Sequence, residues 1–298
     1  MKIRAKVLDA ARRWLNHHDY LEVHGPTIVR AAGAARSCFE VKYFDKKAYL
    51  TQGLQPHASV FVANLGRIYT IAPAFRAEKV RTRRHLTEYW RIETAQPSDL
   101  DTTIGMHEAL VAHICQCLAK EAVEELQCLQ RNVKTIMKLP IPFPRLTYDA
   151  AIERLQGDGY AIQWGQELNG ELAHHISQQF KQPFFITDFP ISIERFFYKS
   201  HPERPELTLS AELCAPEGYG EIAGGAQMID RTEILRKKMR DEEIAAEDQR
   251  WYLGLTQHHR VPHSGFMIGL ERLIQWICNL EHISETSAFP RLPDTLYP

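Results

Sequence analysis

The sequence predicts an α+β fold in which an antiparallel hairpin with one charged face is flanked by helices. Residues 3–15 place apolar side chains at helical spacing, which predicts a helix near the start of the chain. Residues 72–93 form two segments that read as strands on either side of a basic loop. Residues 265–272 read as a strand that runs into a helix. These stretches also contain most of the candidate functional residues.

The composition of the chain is typical of a soluble globular protein. Its 298 residues carry 36 basic and 37 acidic side chains, a net charge of -1, so no overall positive field favours nucleic acid. The six cysteines include no Cys-x-x-Cys pair, and no histidine spacing completes a zinc site. Reduced thiols in a cytoplasmic protein are therefore expected. No signal peptide or membrane-spanning run is expected.

The segments outside the hairpin are predicted in chain order from their apolar periodicity. A helix over residues 1–19 is followed by a short strand over 20–23. A long amphipathic helix, with a break, is expected over 106–137, and His107 on it is expected to face solvent. The later elements are a buried strand over 184–190, a charged solvated helix over 230–247 and a final helix over 271–280.

Charged side chains share one face of the hairpin. Side chains two positions apart on a strand point the same way, so Arg76 and Glu78 face together, as do Tyr89, Arg91 and Glu93. A guanidinium can fork onto phosphate oxygens and a ring can stack on a base, so this face suits a nucleotide. From the hairpin alone, a half-buried pair of strands with a merely solvated charged face is the alternative.

Two glycine-containing stretches add to the hairpin. In residues 218–227, Glu221 precedes the pair Gly224 and Gly225, which predicts a bulge or a close approach of backbone. A carboxylate beside bound phosphates is a usual Mg²⁺ ligand. In residues 265–272, Arg272 lies on the first turn of the predicted helix and can reach back over the strand.

Together these stretches resemble the signature motifs of the class II aminoacyl-tRNA synthetases, in the aspartyl, asparaginyl and lysyl branch and most nearly its asparaginyl enzymes. Residues 75–78 and 83–90 match the second motif and its loop. Residues 220–225 and 261–272 match the third-motif region, and 288–293 resemble the terminal segment. The resemblance implies an α+β domain over residues 1–298, with an antiparallel β-sheet flanked by helices. It also extends to asparagine synthetases that share this core.

The resemblance implies a site that binds ATP with Mg²⁺ and forms an aminoacyl adenylate. In it, Arg76 would clamp the α-phosphate and the substrate carboxylate, and Arg272 would hold the γ-phosphate or stack on adenine opposite Tyr89. Glu221 would hold the metal. The implied catalytic residues are Arg76, Glu78 and Arg272, and the implied ATP-binding residues are Arg76, Arg84, His85, Tyr89, Glu271 and Arg272.

The amino-acid pocket implied by the resemblance departs from the family pattern. Ser59 stands where asparaginyl enzymes carry a glutamate, and Met228 stands where they carry an arginine that contacts the substrate side chain. Met267 replaces the middle glycine of the third motif, near the expected ATP site. The implied amino-acid-binding residues are Gln55, Ser59, Glu93, Gln227, Met228 and Gly265. Arg195 is left open between an anion ligand and a structural salt bridge.

Three hypotheses follow for function. The first is an AMP-forming ligase that passes an activated amino acid to ammonia, an amine or a carrier. The second keeps tRNA as the acceptor, supported by the basic loop 79–84. The third is a non-catalytic sensor or partner-binding dimer, against which the intact Arg76, Glu78, Glu221 and Arg272 argue.

The resemblance also bears on assembly. The first helix with Pro26 resembles the family's first motif, which builds a homodimer interface, although a core helix with a turn proline is the alternative. The chain begins at this motif, so the N-terminal anticodon-binding β-barrel of the tRNA-charging enzymes is not expected.

Overall fold

A mixed sheet of eight strands organises the protein. The computed structural model describes residues 1–30, 37–55, 57–242, 250–258 and 261–297. The strand order is β1-β5-β6-β11-β10-β9-β8-β7. The six central strands pair antiparallel, whereas β1 pairs parallel with β5 and β7 pairs parallel with β8. The strands of this sheet are β1 (Leu21–Glu22), β5 (Ile68–Phe75), β6 (Glu88–Gln96), β7 (Arg145–Thr147), β8 (Phe184–Thr187), β9 (Ser210–Ala215), β10 (Gly220–Gln227) and β11 (Ser264–Gly269).

A smaller sheet and a set of helices complete the fold. The small sheet has the strand order β2-β4-β3, and its strands are β2 (Ile28–Val29), β3 (Glu40–Tyr43) and β4 (Lys46–Leu50). The helices are α1 (Lys2–His17), α2 (His57–Leu65), α3 (Leu100–Glu121), α4 (Val123–Cys128), α5 (Lys134–Met137), α6 (Tyr148–Gly157), α7 (Gly170–Gln178), α8 (Thr232–Asp241), α9 (Arg250–His258) and α10 (Leu270–Cys278), with a 3₁₀ turn at Ile283–Thr286. The predicted α+β fold with an antiparallel sheet and flanking helices is confirmed.

The main hydrophobic core lies between one face of the large sheet and helices α1, α3 and α10. Trp14 of α1, Ile104 of α3 and Trp276 of α10 are buried there with Ile92 of β6 and Phe266 of β11. The opposite face of the central strands is thereby left for the polar side chains. The apolar periodicity of the first and last helices predicted this burial correctly.

The long helix begins earlier than predicted, and the expected break is present. It starts at Leu100, six residues before Met106, because the Asp99 side chain caps it by accepting a hydrogen bond from the Thr102 amide at 2.8 Å. The predicted broken helix is divided into the three helices α3, α4 and α5. The expectation that His107 faces solvent is wrong, since its side chain is fully buried.

The predicted irregularity in the 218–227 stretch is present, but at a different residue. The register between β10 and β9 shifts between Glu221 and Ala223, before the paired glycines. Gly225 serves the close approach, since a Cβ there would collide with the Gly265 carbonyl and the Phe266 ring. The helix predicted over 230–247 ends at Asp241, and residues 243–249 lie outside the described ranges.

Two further sequence expectations concern thiols and membranes. The six cysteines all lie within the described ranges and are not joined in disulfides. Among the described residues, no helix has the length and apolar character that crossing a lipid bilayer requires.

Candidate active site

One cleft brings together the residues that the three motifs supply. Arg76 follows the end of β5, Glu221 lies on β10 and Arg272 lies on the first turn of α10. All three line both a small inner pocket and the wide cleft, of about 1290 Å³, into which it opens. The hairpin register, with Phe75 opposite Glu88, places the basic loop at the mouth of this cleft.

Glu221 is held by two arginines. Arg272 Nη1 lies 2.6 Å from Glu221 Oε2, and Arg84 donates to the Glu221 carbonyl oxygen. Burial would raise the pKa of the Glu221 carboxyl, but the Arg272 and Arg84 guanidiniums hold it below its usual value. Arg84 packs directly over Gly220, where φ is +65° and a Cβ would collide with the guanidinium, so this position requires glycine.

The inner pocket is strongly basic around one aromatic ring. The guanidiniums of Arg91 and Arg76 lie 5.1 Å and 5.9 Å from the centre of the Tyr89 ring, and Arg91 Nη2 donates to the Tyr89 hydroxyl at 2.6 Å. Burial would raise the pKa of Tyr89, but the neighbouring Arg91 and Arg76 lower it. Burial and the charges of Arg272, Arg76 and Arg84 lower the pKa of His85 to about 4. His85 is therefore neutral at pH 7.

Two facing carboxylates suit a divalent cation. Glu212 on β9 pairs in register with Gly224 on β10, next to the bulge that carries Glu221. Burial and the charge of Glu221 raise the pKa of Glu212 well above its usual value. A cation held between the two carboxylates would relieve that repulsion, and Mg²⁺ is commonly bound by one or two carboxylates together with substrate phosphates. Within the described ranges, no cluster of three or more metal-ligating side chains is present.

One predicted catalytic residue, Glu78, and one predicted ATP-binding residue, Glu271, are engaged by protein groups. Glu78 lies 3.6 Å from Arg76, where it can orient that guanidinium. Glu271 is 2% exposed, and its two oxygens accept from Arg4 Nη1 at 2.6 Å and from the Trp90 amide at 2.9 Å. Glu271 therefore ties α1, β6 and α10 together beneath the pocket. This arrangement does not support its assignment as an ATP ligand.

Four of the predicted amino-acid-binding residues lie along β11 and the residue before it. They are Gln55, Ser59, Glu93 and Gly265. Gln55 Nε2 would lie 3.1 Å from a Cβ at Gly265, while Gln55 Oε1 is buried and finds no hydrogen-bond partner among the described residues. Glu93 accepts from the Leu54 amide at 2.9 Å, and burial raises the pKa of its carboxyl. Ser59 Oγ lies 2.9 Å from Nε2 of His263.

The other two predicted amino-acid-binding residues, Gln227 and Met228, do not lie with these four. Gln227 pairs in register with Ser264, whose hydroxyl bonds Thr103 on α3, so the register places Gln227 on the α3 face of the sheet rather than on the cleft face. The resemblance did not reveal this because a match of letters carries no strand register. Met228 is 2% exposed and is buried in a cluster with Tyr198.

Sequence reasoning did not identify Glu194 or Glu212 as residues of the site, and it placed Arg91 on the charged face without giving it a role. Arg91 Nη1 lies 2.9 Å from Met267 Sδ, so the two side chains together close the inner pocket beside Tyr89. Glu194 lines the cleft, and Glu212 faces Glu221. The alternation of side chains along the hairpin indicated the direction of Arg91, but no sequence signal distinguished Glu194 or Glu212.

The position of Arg195 is compatible with both predicted roles, an anion ligand and a partner in a structural salt bridge. Its positive charge counteracts the burial that raises the pKa of Glu93 and of Glu194, so it lies close to both carboxylates.

An antiparallel sheet whose polar face presents arginines and a carboxylate at the end of a strand–helix unit defines a catalytic domain of the class II synthetase type. Comparison with known families agrees, since the model for tRNA synthetases class II (D, K and N) matches residues 1–293. The chain belongs to this family and is a ligase.

The matches to similar proteins extend over the whole chain. It is 39% identical over 300 residues to an asparagine–tRNA ligase of Thermococcus gammatolerans and 40% identical over 301 residues to one of Pyrococcus furiosus. These matches cover 100% of this chain and 70% and 69% of the relatives. Among solved structures, the asparaginyl-tRNA synthetase of Pyrococcus horikoshii complexed with asparaginyl-adenylate matches with a TM-score of 0.98 and 38% identity, covering 100% of this chain and 69% of that one.

Proposed function

We propose that the protein activates an amino acid with ATP, forming an aminoacyl adenylate and pyrophosphate. The observation that carries this proposal is the convergence of Arg76, Glu221 and Arg272 on one cleft. The similar Pyrococcus horikoshii enzyme, in its complex with asparaginyl-adenylate, supports adenylate chemistry for this fold. The orphaned Gln55 Oε1 supports an amino-acid site, because an α-ammonium group would satisfy it.

The side chains assist phosphoryl chemistry mainly by neutralising charge and fixing geometry. Arg76 would bind the α-phosphate and the attacking carboxylate, since a guanidinium offers two parallel donors. Arg272 would move from Glu221 to the phosphate tail, and neutral His85 would donate a hydrogen bond there. Tyr89 would stack on the base. Glu221 and Glu212 would hold Mg²⁺, which supplies charge neutralisation on the phosphate oxygens.

Amino-acid-dependent exchange of pyrophosphate into ATP tests the proposal. The wild-type protein should exchange with at least one amino acid, and Arg76→Ala should lose at least 10²-fold in rate because charge on the reacting phosphate is left uncompensated. Arg81→Ala is the matched control, since Arg81 belongs to the same loop but pairs with Asp294 away from the pocket. Absence of exchange across the full amino-acid panel would reject the proposal.

Two acceptors are compatible with this chemistry. We propose a nitrogen nucleophile such as ammonia or an amine, supported by the net charge of -1, which gives no overall positive field for tRNA. The loop 79–84 favours tRNA as the second candidate, although Arg81 and Arg83 pair with Asp294 and Glu281. The enzyme is incubated with ATP and labelled amino acid, and then with amines or, separately, with total tRNA. The acceptor is the one whose product contains the label.

A homodimer through α1 and the Pro26 region is part of the same proposal. Class II synthetases are commonly dimers, and β1 lies at the edge of the large sheet beside this region.

A further inference from the structure

Arg91 is a buried cation whose hydrogen-bond partners are both uncharged. Its side chain is 5% exposed, Nη2 donates to the Tyr89 hydroxyl at 2.6 Å, and Nη1 donates to the Met267 sulfur at 2.9 Å. Among the described residues, no carboxylate forms an ion pair with this guanidinium. The carboxylate of Glu93 acts on it only by its charge, and accepts a hydrogen bond from the Leu54 amide instead.

The methionine sulfur marks a place for a stronger acceptor. A thioether accepts hydrogen bonds weakly, and a buried charge is stable when an opposite charge compensates it. Arg91 and Arg76 both line the inner pocket, as Met267 does. An anionic oxygen that enters the pocket beside Met267 replaces the sulfur on Nη1 and forms a charge-assisted hydrogen bond. The pocket therefore offers a second guanidinium, besides Arg76, to an anionic group of the substrate.

The position of Arg91 on β6 indicates which anionic group it meets. Tyr89, Arg91 and Glu93 share one face of the strand, roughly 7 Å from one to the next. Gln55, whose buried Oε1 has no hydrogen-bond partner among the described residues, lies beside Gly265, one step beyond Glu93 in the register of β11 with β6. With the ammonium group of the amino acid at that end and the base on Tyr89, the carboxyl group and the α-phosphate lie opposite Arg91.

We propose that Arg91 is a catalytic residue that binds the reacting carboxylate of the amino-acid substrate. The inference rests on the proposed adenylate-forming function and adds a group to its first step. Nη1 holds the carboxylate oxygen that does not react, so that the other oxygen faces the α-phosphorus of the ATP bound by Arg76. Met267 gives up its contact with Nη1 to the substrate oxygen.

The step balances in atoms and charge. One carboxylate oxygen attacks the α-phosphorus and the new O–P bond forms. The bond from the α-phosphorus to the bridging oxygen of pyrophosphate breaks, and pyrophosphate leaves with that electron pair. No proton moves, and the remaining oxygen becomes the carbonyl oxygen of the adenylate, still bound to Arg91.

The first experiment separates the amino acid from the nucleotide. Arg91→Gln removes the charge and keeps a hydrogen-bond donor for Tyr89. In pyrophosphate exchange with the amino acid that wild type uses fastest, KM for the amino acid should rise about tenfold to 10²-fold. KM for ATP should stay within about threefold of wild type, because Arg76 and Arg272 still hold the phosphates.

A second buried arginine provides the matched control. Arg131 is 6% exposed and its Nη1 donates to Glu217 Oε2 at 2.8 Å, outside the inner pocket. Arg131→Gln should lower the melting temperature and leave KM for both substrates unchanged.

Competition with an amino alcohol gives a readout that a structural role would not produce. The amino alcohol made from the same amino acid carries a CH₂OH group in place of the carboxylate, so its binding does not use the charge of Arg91. Its inhibition constant in exchange should agree within about threefold between wild type and Arg91→Gln. Arg91→Lys keeps the charge and should recover part of the affinity for the amino acid, and it serves as the test variant if Arg91→Gln does not fold.

The outcomes distinguish this inference from the function on which it rests. Equal losses for the amino acid and the amino alcohol, in Arg91→Gln or in Arg91→Lys, would overturn the inference and leave Arg91 a packing role. A raised KM for ATP with an unchanged KM for the amino acid would overturn it too, because the guanidinium would then bind phosphate. Both results leave adenylate formation standing, whereas absence of exchange in wild type would reject the proposed function and this step with it.

Discussion

Met267 is the residue whose replacement most directly changes the inner pocket. That pocket is about 60 Å³, small beside the roughly 300–1000 Å³ of ordinary ligand sites. Met267→Ala should therefore lower KM for ATP about threefold to tenfold, because the ligand no longer has to displace the methionine that contacts Arg91. Steady-state exchange kinetics at saturating amino acid measure the change.

A second methionine provides the control for this substitution. Met106 on α3 packs against the main core and lies away from the inner pocket. Met106→Ala should leave KM for ATP unchanged while lowering the melting temperature. An unchanged or higher KM in Met267→Ala would show that the methionine contributes to nucleotide binding instead of obstructing it.

His107 gives the residue-scale prediction for pH. Its Nδ1 lies 2.9 Å from the Thr103 carbonyl oxygen, its Nε2 lies 3.2 Å from Thr94 Oγ1, and its ring lies 4.4 Å from that of Phe266. Burial lowers the pKa of His107 to about 4 from 6.5. The unfolded chain therefore binds a proton at pH values where the folded protein does not, so stability falls as pH decreases from about 6.5 to 4.

The corresponding experiment compares stability against pH in two proteins. A shift of this size corresponds to about 3 kcal/mol. His107→Gln, which keeps a polar side chain, should lose that part of the decline in free energy of unfolding between pH 6.5 and 4. Denaturant titrations at several pH values measure it, and identical slopes in both proteins would contradict the assignment.

At the scale of elements, the buried pair Arg4–Glu271 joins the first helix to the last. The side chains are 12% and 3% exposed, and the same carboxylate accepts from the Trp90 amide. Glu271→Gln keeps the acceptor for Trp90 but leaves Arg4 without its counter-charge. We expect a loss of about 2 kcal/mol in the free energy of unfolding, with KM for ATP unchanged.

The partly exposed ion pairs between α1 and Glu125 of α4 provide the control for Glu271. Glu125 lies 4.0 Å from Lys2 and 3.9 Å from Lys6, in a partly exposed arrangement. Glu125→Gln should cost less than about 1 kcal/mol, because exposed ion pairs contribute little. Thermal denaturation of both variants tests the contrast, and a raised KM for ATP in Glu271→Gln would restore the nucleotide role that the sequence implied.

Some elements and side chains could be predicted from the sequence and others could not, for a physical reason. The hairpin and α10 were predictable because side-chain alternation and apolar periodicity are local properties of the chain. The burial of His107 was not, because Thr94 and Phe266 reach it only through tertiary packing. Glu212 became a candidate metal ligand only once the register placed it opposite Gly224. A single carboxylate on a strand has no local signal of its partner.

For the whole molecule, the edge of the large sheet predicts self-association. Leu21 on β1 is 52% exposed and Ile28 on β2 is 44% exposed, on either side of the Pro26 turn. An exposed edge strand with apolar side chains is a surface that proteins usually cover. We expect the protein to sediment as a dimer with twice the 34.3 kDa mass of one chain.

In a dimer with two-fold symmetry, one substitution changes the interface at two places. In an isologous interface the same residue is altered on both protomers. Removing a buried leucine costs about 1.5–3 kcal/mol on each side, so Leu21→Asp should weaken association by about 10²–10⁴-fold. Ile141→Asp is the matched control, since Ile141 is 55% exposed and lies outside this region. Sedimentation equilibrium that finds a wild-type monomer, or equal dimer fractions in both variants, would move the interface away from the β1 edge.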